Sequence, residues 1–165
     1  EVDLNDVLNE VISELDGSIR EKKAEMLLEP LPVLPVNAVL MGPLFSNLIS
    51  NSLKYSKKDV PPQIRIRHEM TSALTNGKDT DTRYCRIIIE DNGIGFDQKY
   101  AEQIFDMFRR LHPNAEYEGT GIGLALCKKI VEKHKGFISA RSRPGEGAVF
   151  IVSLPLSNAK KEVLV

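Results

Sequence analysis

The sequence contains no tryptophan and only two cysteines, Cys85 and Cys127, which lie among apolar neighbours. Two thiols cannot form a disulfide framework, nor can they form a tetrahedral metal site by themselves. This cysteine usage fits a reducing compartment. We therefore expect a cytoplasmic location, whether or not a parent protein is tethered to a membrane.

Long apolar runs and an excess of one charge are also absent. No apolar run approaches the roughly 18 residues that span a bilayer, and the opening EVDLND is acidic where a signal segment is basic and then apolar. Lys and Arg total 22 against 23 Asp and Glu, which gives a net charge of -1. The chain as a whole therefore has no general attraction for nucleic acid or anionic lipid, and any polyanion site must be local.

What is present is the composition of an ordinary globular domain, with 42% apolar and 27% charged residues in a chain of 165. A chain of this size buries about two-thirds of its unfolded surface. We expect one domain over residues 1–156 and a tail or linker over 157–165. Because the sequence does not begin with Met, we also expect the domain to belong to a longer protein.

Apolar residues at steps of three and four predict three helices. The first is amphipathic and extends from its N-cap Asp3 to Ile19. The second begins near Asn37, and Gly42-Pro43 predicts a kink or a restart at the proline, which costs roughly 3 kcal/mol inside a helix. The third covers about 121–135.

Alternating apolar and polar residues, or short β-branched runs, predict the strands. These are QIRIRHEM, YCRIIIE, FISARSR and AVFIVSLP, the last two joined by a PGEG turn. The proline-rich LEPLPVLPV can pair only at a sheet edge. We expect SALTNGKDTDTR to connect two strands and QKYAEQIFDMFRRL to form a short helix capped by Asp97. HPNAEYEGTGIG lacks periodic apolar residues and ends in glycines, which predicts a ligand-dependent lid.

Three short segments carry side chains suited to binding. In LFSNLISNSLKYS, Asn47 and Asn51 are four residues apart and Lys54 follows by three, so the three side chains share one helix face. An amide oxygen, the lysine charge and a metal ion would together satisfy a triphosphate. The alternative is a pair of surface asparagines without a ligand.

The second segment is EDNGIGF, which follows a strand of three isoleucines. Asp91 would emerge at the end of that strand, where its carboxylate can accept a hydrogen bond from an exocyclic base amine and so favours adenine over guanine. Gly93 and Gly95 would let the backbone approach a flat ring. Asp-Asn-Gly is also a common turn, so the alternative is a turn without a ligand.

The third segment is GTGIGLALCKKIV, in which Gly119, Gly121 and Gly123 precede or open a helix. The N-terminal amides of such a helix can hold phosphate oxygens. The spacing matches neither a P-loop nor a strand-led GxGxxG, and a glycine trio by itself is a weak signal.

These segments occur in one order, with the phenylalanine-bearing IFDMFRR between the second and the third, and in this order the chain resembles the catalytic and ATP-binding domain of sensor histidine kinases. That family lies in a wider ATPase superfamily with gyrase, the Hsp90 chaperones and MutL. LFSNLISNSLKYS looks like its N box, DNGIGF its G1 box, IFDMFRR its F box and GTGIGLAL its G2 box, while PGEGAVF resembles a last glycine box.

The resemblance covers residues 1–156 and implies an α/β two-layer sandwich, the Bergerat ATP-binding fold. In this fold a mixed, mostly antiparallel sheet is covered on one face by helices, which here would start near Asp3, Asn37 and Gly121. ATP would bind between the helices and the lid.

Carried over residue by residue, the resemblance makes Asn51 the Mg²⁺ ligand, with Asn47 beside it. It places Asp91 at the adenine amine and Arg110 near the γ-phosphate, while Arg109 stands where an aromatic residue is more usual, so either arginine can be the inward one. The catalytic group is then Asn47, Asn51, Lys54 and Arg110. The nucleotide contacts fall on Asn51, Lys54, Tyr55, Asp91, Gly93, Gly95, Phe105, Phe108, Gly119, Thr120, Gly121, Gly123 and Leu124, with the two phenylalanines anchoring the lid.

Asn47 distinguishes between branches of the superfamily. The hydrolytic members resemble one another in placing a Glu at this point, and an amide cannot act as a general base. Phosphoryl transfer depends mainly on positioning and charge neutralisation. The resemblance therefore implies transfer of the ATP γ-phosphoryl group to a histidine. The alternatives are an ATP-hydrolysing member of the superfamily and a degenerate nucleotide-binding or interaction module without catalysis.

None of the three histidines in the sequence fits the phosphoacceptor. His68 precedes Glu69 as in the acceptor motif, but it lies in a strand pattern; His112 lies in the lid, and His134 ends a helix, where partial positive charge is favourable. The resemblance thus implies an acceptor on a separate helical dimerisation domain of a parent kinase, with a response regulator as an indirect partner. ATP and Mg²⁺ are the implied cofactors, and we expect neither nucleic-acid binding nor membrane insertion.

Overall fold

The structure, a computed structural model, describes residues 1–75, 78–111 and 121–156. In chain order its elements are β1 (Val2–Asp3), α1 (Leu4–Glu14), α2 (Asp16–Glu21), β2 (Glu25–Leu28), β3 (Val33–Leu34), α3 (Ala38–Lys54), β4 (Gln63–Thr75), β5 (Lys78–Asp91), α4 (Gly123–Lys133), β6 (Phe137–Ser142) and β7 (Ala148–Pro155). Two short 3-10 turns, Gln98–Tyr100 and Gln103–Phe105, lie between β5 and α4. Among the residues described, no helix is both long and apolar enough to cross a membrane.

The main sheet has the strand order β2-β4-β5-β7-β6. Only β2 and β4 run parallel, and the other three neighbouring pairs are antiparallel. This confirms the predicted mixed, mostly antiparallel sheet. The proline-rich segment pairs outside it, because β3 forms a two-stranded antiparallel sheet with β1 that brings Leu34 opposite Val2.

One apolar core joins the helices to the sheet. Alternate strand residues such as Ile87, Ile89 and Phe150 are buried with Leu44 and Leu48 of α3 in a single cluster. Intervening residues of the same strands form ion pairs on the other face, for example Arg67–Glu90 at 3.6 Å and Arg86–Glu69 at 3.8 Å. The sheet therefore has an apolar face under the helices and a charged face, which is the two-layer arrangement expected of an amphipathic sheet.

The predicted first helix is divided into two. Asp3 caps it as predicted, with its side chain accepting a hydrogen bond from the Asn5 backbone N–H, but α1 ends at Glu14 and α2 begins after Leu15. Leu15 has a ψ of 3°, which is outside the helical range. Apolar periodicity alone therefore located this segment but not the break in it.

The predicted restart at Pro43 is wrong, because α3 continues through the proline from Ala38 to Lys54. The helix begins near Asn37 as predicted, and the Asn37 side chain caps it by accepting a hydrogen bond from the Val39 backbone N–H at 3.0 Å. Met41 and Leu44, on either side of the proline, are both buried in the core. Helical stability in proteins comes mostly from such packing, which here offsets the local cost of the proline.

The predicted helix over QKYAEQIFDMFRRL is also wrong, because only the two 3-10 turns form there. Asp97 does cap the first turn, accepting from Lys99 N–H at 3.0 Å. Further on, Phe108 has a φ of 62°, a left-handed conformation that an α-helix cannot accommodate. The Phe108 N–H instead donates to the carbonyl of Gly121 at 3.0 Å, so a tertiary contact replaces the helical one.

Most of SALTNGKDTDTR is strand, because β4 extends to Thr75 and β5 starts at Lys78. The third predicted helix starts at Gly123 and not at Gly121, whose φ of 71° is left-handed. Residues 112–120 of the predicted lid, with His112, Gly119 and Thr120, and the predicted tail or linker over 157–165 lie outside the described residues.

Candidate functional site

Two adjoining cavities, of about 70 and 210 Å³, lie between α3, the segment after β5 and the start of α4. We name them the Asp91 cavity and the Asn47 cavity after one residue of each wall. The walls share Asn51, Tyr55, Ile104, Arg109, Arg110 and Leu124. The predicted binding residues Asp91 and Asn51 therefore meet at one site.

Asp91 is fixed by hydrogen bonds from three parts of the fold. Its Oδ1 accepts from the Gly93 N–H at 2.9 Å and from the Ala148 N–H at 3.1 Å. Its Oδ2 accepts from the Ser52 hydroxyl at 2.9 Å. The carboxylate at the end of β5 is thus held by its own turn, by β7 and by α3.

The same residue is electrostatically unusual. Burial raises the pKa of Asp91 above its usual 3.8, and the hydrogen bonds from Gly93, Ser52 and Ala148 lower it again without cancelling the effect of burial. A carboxylate that has lost water and lies on a cavity wall is a strong acceptor for a ligand donor. Strongly perturbed acids in clefts are typical of functional sites.

The glycines after Asp91 allow close backbone contacts. A side chain at Gly93 would collide with the backbone carbonyl of Tyr55, which also accepts the Ile94 N–H at 2.9 Å. Gly95 has a φ of 64° and lines the Asp91 cavity, and a Cβ there would lie 2.8 Å from the Gly147 carbonyl oxygen. These glycines therefore bring the turn against α3 and β7, a packing requirement that the sequence pattern did not reveal.

The α3 side of the Asn47 cavity carries the predicted polar face, formed by Asn47, Asn51 and Lys54. The Asn47 side-chain amide donates to the Pro43 carbonyl at 2.7 Å. The ammonium group of Lys54 lies 5.0 Å from the centre of the Tyr55 ring, within range of a cation–π interaction. The helix thus presents two amides and one cation to the same space.

The start of α4 closes the opposite side of the Asn47 cavity with Gly121, Gly123 and Leu124. A Cβ at Gly123 would lie 2.7 Å from the Asn47 side-chain oxygen, so a larger residue there would require the Asn47 side chain to move. Gly121 has a left-handed φ, and its carbonyl oxygen accepts a hydrogen bond from the Phe108 N–H.

The charged side chains of the two cavity walls are partly shared and partly different. Arg109 and Arg110 line both, and Lys54 adds a third cation to the Asn47 cavity. Within the described residues, Asp91 is the one acidic side chain of the two walls. Both arginines therefore contribute positive charge along the whole site, which Asp91 opposes in the Asp91 cavity and Lys54 reinforces in the Asn47 cavity.

Three predicted contacts, Gly93, Phe105 and Phe108, lie away from the cavity walls. Phe105 is buried in the core, where its ring meets that of Phe150 at 6.3 Å in an edge-to-face arrangement. Phe108 is 68% exposed. Phe105 therefore packs behind Ile104 and Phe150, and these two residues line the site.

Sequence reasoning missed several residues that build the site. Ser52 and the backbone of Ala148 hold Asp91, while the Ser142 hydroxyl accepts from Phe96 N–H at 2.8 Å and donates to the Gly147 carbonyl at 2.6 Å. One signal was available for Ser52, since it follows Leu48 by four residues on the buried face of α3. A serine on such a face needs a partner.

Residues 37–158 match the sequence profile of the family of histidine kinase-, DNA gyrase B-, and HSP90-like ATPases. The match covers most of the chain, and the chain belongs to this family.

Similar curated proteins include the phytochrome-like protein Cph1 of Synechocystis sp., 36% identical over 94% of this chain and 19% of the relative. Cyanobacterial phytochrome B of Nostoc sp. is 40% identical over 93% of this chain and 19% of the relative. The methanogenesis regulatory histidine kinase FilI of Methanothrix harundinacea is 29% identical over 91% of this chain and 16% of the relative. The chain thus spans about a fifth of the length of the first of these relatives.

Among solved structures, the catalytic domain of the histidine kinase ThkA has a TM-score of 0.73 at 23% identity, covering 94% of this chain and 96% of that one. Full-length ShkA in complex with AMPPNP has a TM-score of 0.72 at 21% identity, covering 96% of this chain and 31% of that one. These similarities confirm the predicted α/β fold, which is that of histidine kinase catalytic domains.

Proposed function

We propose that the chain is the ATP-binding catalytic domain of a sensor histidine kinase. It would transfer the γ-phosphoryl group of ATP to a histidine on a separate helical dimerisation domain of the parent protein. The observation that carries the proposal is a site that combines the buried Asp91 carboxylate with three cations: Arg109 and Arg110 on the walls of both cavities, and Lys54 on the wall of the Asn47 cavity. A nucleotide is complementary to this combination, because its base donates hydrogen bonds and its phosphates are anionic.

The adenine is placed at Asp91. The carboxylate accepts the hydrogen bond of the exocyclic amine, while Phe96, Ile104 and Phe150 supply the apolar wall for the ring. Guanine presents a carbonyl oxygen at the same position, so two acceptors would face each other across the contact. The base specificity proposed for this site is therefore adenine over guanine.

The phosphates are placed in the Asn47 cavity. Lys54 and the two arginines offset their charge, and Asn51, on the wall shared by both cavities, offers an amide oxygen to a metal ion. No group of three His, Cys, Asp or Glu side chains among the described residues could hold a metal alone. That fits Mg²⁺, which takes one or two protein oxygens and completes its shell with phosphates and water. When bound, Mg²⁺ would neutralise phosphate charge during transfer.

Asn47 favours transfer over hydrolysis. Its amide donates to the Pro43 carbonyl, and Asn47 lines the Asn47 cavity, whose described walls carry no carboxylate to activate water. A transferase needs no such base when the incoming imidazole is itself the nucleophile. Slow ATP turnover by the isolated chain follows from this arrangement.

The names of several relatives agree with this proposal. Besides FilI, they include the sensor protein kinase WalK of Staphylococcus saprophyticus, 32% identical over 93% of this chain and 24% of the relative. ThkA has been solved in complex with the response regulator protein TrrA. The proposal for this chain also includes a helical acceptor domain, a response regulator as indirect partner and a cytoplasmic location. It further includes a domain over 1–156 followed by a tail or linker over 157–165.

The test combines binding with transfer. Calorimetric titration with ATP, ADP and GTP, with and without Mg²⁺, should give heat for the adenine nucleotides only. Radiolabelled γ-phosphate should then pass from ATP to the helical acceptor domain of the parent protein supplied in trans, and replacing the acceptor histidine there should abolish the labelling. Equal affinity for GTP, or ATP hydrolysis that outpaces labelling, would contradict the proposal.

A further inference from the structure

Ser52 is a buried polar residue that the proposed reaction does not use. It is 1% exposed and lies on α3 immediately after Asn51. Successive residues of a helix point about 100° apart, so Asn51 can face the cavities while Ser52 faces the sheet. The Ser52 hydroxyl donates to Asp91 Oδ2 at 2.9 Å, across 39 residues of sequence.

The geometry of Asp91 determines what this bond does. An ionised carboxylate has about four acceptor positions. Gly93 and Ala148 donate to Oδ1, and Ser52 donates to Oδ2. Among the described residues these three donors are the ones that reach Asp91, so one acceptor position is left, on Oδ2.

Two kinds of bond are involved. The two donors to Oδ1 are backbone groups, which substitution cannot remove. The donor to Oδ2 is a side chain, and it is the one that fixes the oxygen left for a ligand. Without it, Oδ2 would have two vacant acceptor positions, and water or a differently placed donor could occupy them.

We infer that Ser52 is the positioning residue for base selection: by occupying one side of Oδ2 it leaves Asp91 a single, directed acceptor for an exocyclic amine. This inference rests on the proposed adenine site. Ser52 acts through Asp91 and does not itself touch the base.

The hydrogen bond from Ser52 also affects the protonation of Asp91. The hydrogen bond from Ser52 lowers the pKa of Asp91 against the opposing effect of burial. Its loss would raise that pKa further, so Asp91 would take up a proton at a higher pH. A protonated Asp91 no longer presents two acceptor oxygens, and adenine binding would fail at a higher pH than in the unaltered chain.

The experiment measures the affinities of ATP and ITP over a range of pH in the unaltered chain and in Ser52→Ala and Ser52→Cys. ITP carries an oxygen in place of the exocyclic amine, so it has no donor at that position for the open side of Asp91 Oδ2. We expect both variants to bind ATP about tenfold more weakly, the size of one charge-assisted hydrogen bond, and to bind ITP as before. The acidic limit of ATP binding should shift to higher pH in both.

Two controls separate positioning from packing. Ser46→Ala removes a serine of the same helix that lies in the groove beside α1, and it should change neither the preference for ATP nor the pH profile. Cysteine is a weak donor and somewhat larger than serine, whereas alanine is smaller and has no donor. If Ser52 only filled space, its replacement would change the affinities for ATP and ITP alike; that result would overturn the inference, as would an unchanged preference for ATP over ITP in folded Ser52→Ala and Ser52→Cys.

The outcomes also distinguish the inference from the function on which it rests. If circular dichroism shows that Ser52→Ala does not fold, the cysteine variant decides the question. An unaltered chain that fails to prefer ATP over ITP would overturn the proposed function itself. An unaltered chain that prefers ATP, with both variants equal to it, would overturn only the role of Ser52.

Discussion

The Asp91 cavity and the Asn47 cavity adjoin, yet they are built in opposite ways. At the first, a buried carboxylate is held by three hydrogen bonds from α3, from its own turn and from β7. At the second, cations lie along the walls, and Asn47 bonds within its own helix. Under the proposed function, selection of the base depends on groups held in the packed core, while the phosphate end supplies cations that the ligand would neutralise.

The largest effect is expected at Asn51, which belongs to both walls. Asn51→Asp would place a negative charge against the phosphates and disturb the metal, so phosphoryl transfer to the acceptor domain should fall on the order of a thousandfold, as when a preorganised polar group is lost. Labelling of the acceptor domain measures it. Asn9→Asp, which adds the same charge at an exposed position of α1, should transfer normally. Unimpaired transfer in Asn51→Asp would remove Asn51 from the catalytic group.

The next effect concerns the Asp91 cavity. Asp91→Asn removes the charge that makes the remaining oxygen a strong acceptor, so ATP affinity should fall about a hundredfold, the upper range for a hydrogen bond to a charged group. Calorimetric titration measures it, with Asp97→Asn as the matched control at the exposed cap of the first 3-10 turn. An affinity within about twofold of the unaltered chain would place the adenine elsewhere.

Acidity should affect binding and stability in opposite directions at Asp91. Because burial raises its pKa above 3.8, ATP binding should weaken as the pH falls through that raised value. The folding stability of the nucleotide-free chain changes with pH in the opposite direction. The raised pKa contributes stability that is complete below 3.8 and lost as the pH rises through the raised value, since the folded state then holds a buried charge.

It follows that Asp91→Asn should stabilise the nucleotide-free protein at neutral pH while it abolishes the preference for adenine. Urea unfolding of both chains at neutral and acidic pH checks this. The two stabilities should converge on acidification, and a variant less stable than the unaltered chain at neutral pH would show that the three hydrogen bonds outweigh burial.

A smaller effect is expected at the phosphate end. Lys54→Gln should weaken ATP binding about fivefold, the upper limit for an exposed ion pair, and should reduce its dependence on salt. Affinities measured at several ionic strengths test this, with Lys128→Gln on the exposed face of α4 as control. An identical salt dependence in the two variants would show that Lys54 does not meet the phosphates.

The smallest effect lies outside both cavities, where His134 connects α4 to α3. Its Nε2 accepts from the Asn37 N–H at 3.0 Å, and its Nδ1 lies 2.7 Å from the Ile130 carbonyl. His134→Ala should lower the free energy of unfolding by about 1 kcal/mol, as for one hydrogen bond, and leave ATP affinity unchanged. Urea unfolding measures it beside the exposed Lys133→Ala. A loss of ATP affinity instead would make the α3–α4 junction part of the site.

Local sequence patterns predicted correctly those parts of the fold that depend on residues close together in the chain. Asp3 and Asp97 were predicted as caps, and both accept the hydrogen bonds of a cap; the helix predicted to begin near Asn37 does so, with Asn37 as its cap. The predicted helix after Asp97 failed, because Phe108 turns into a left-handed conformation to reach Gly121. Likewise, Pro43 does not interrupt α3, because the core packs the helix on both sides of it.

By itself, the sequence determined the family and the chemical types at the site, because the order of its amides, its carboxylate turn and its glycines can be read without coordinates. Only the tertiary structure decided how Asp91 is held. Its partners Ser52 and Ala148 lie 39 and 57 residues away in the chain. Contacts over such separations have no local signature, since they form only when helix and sheet pack together and each buried polar group must find a partner.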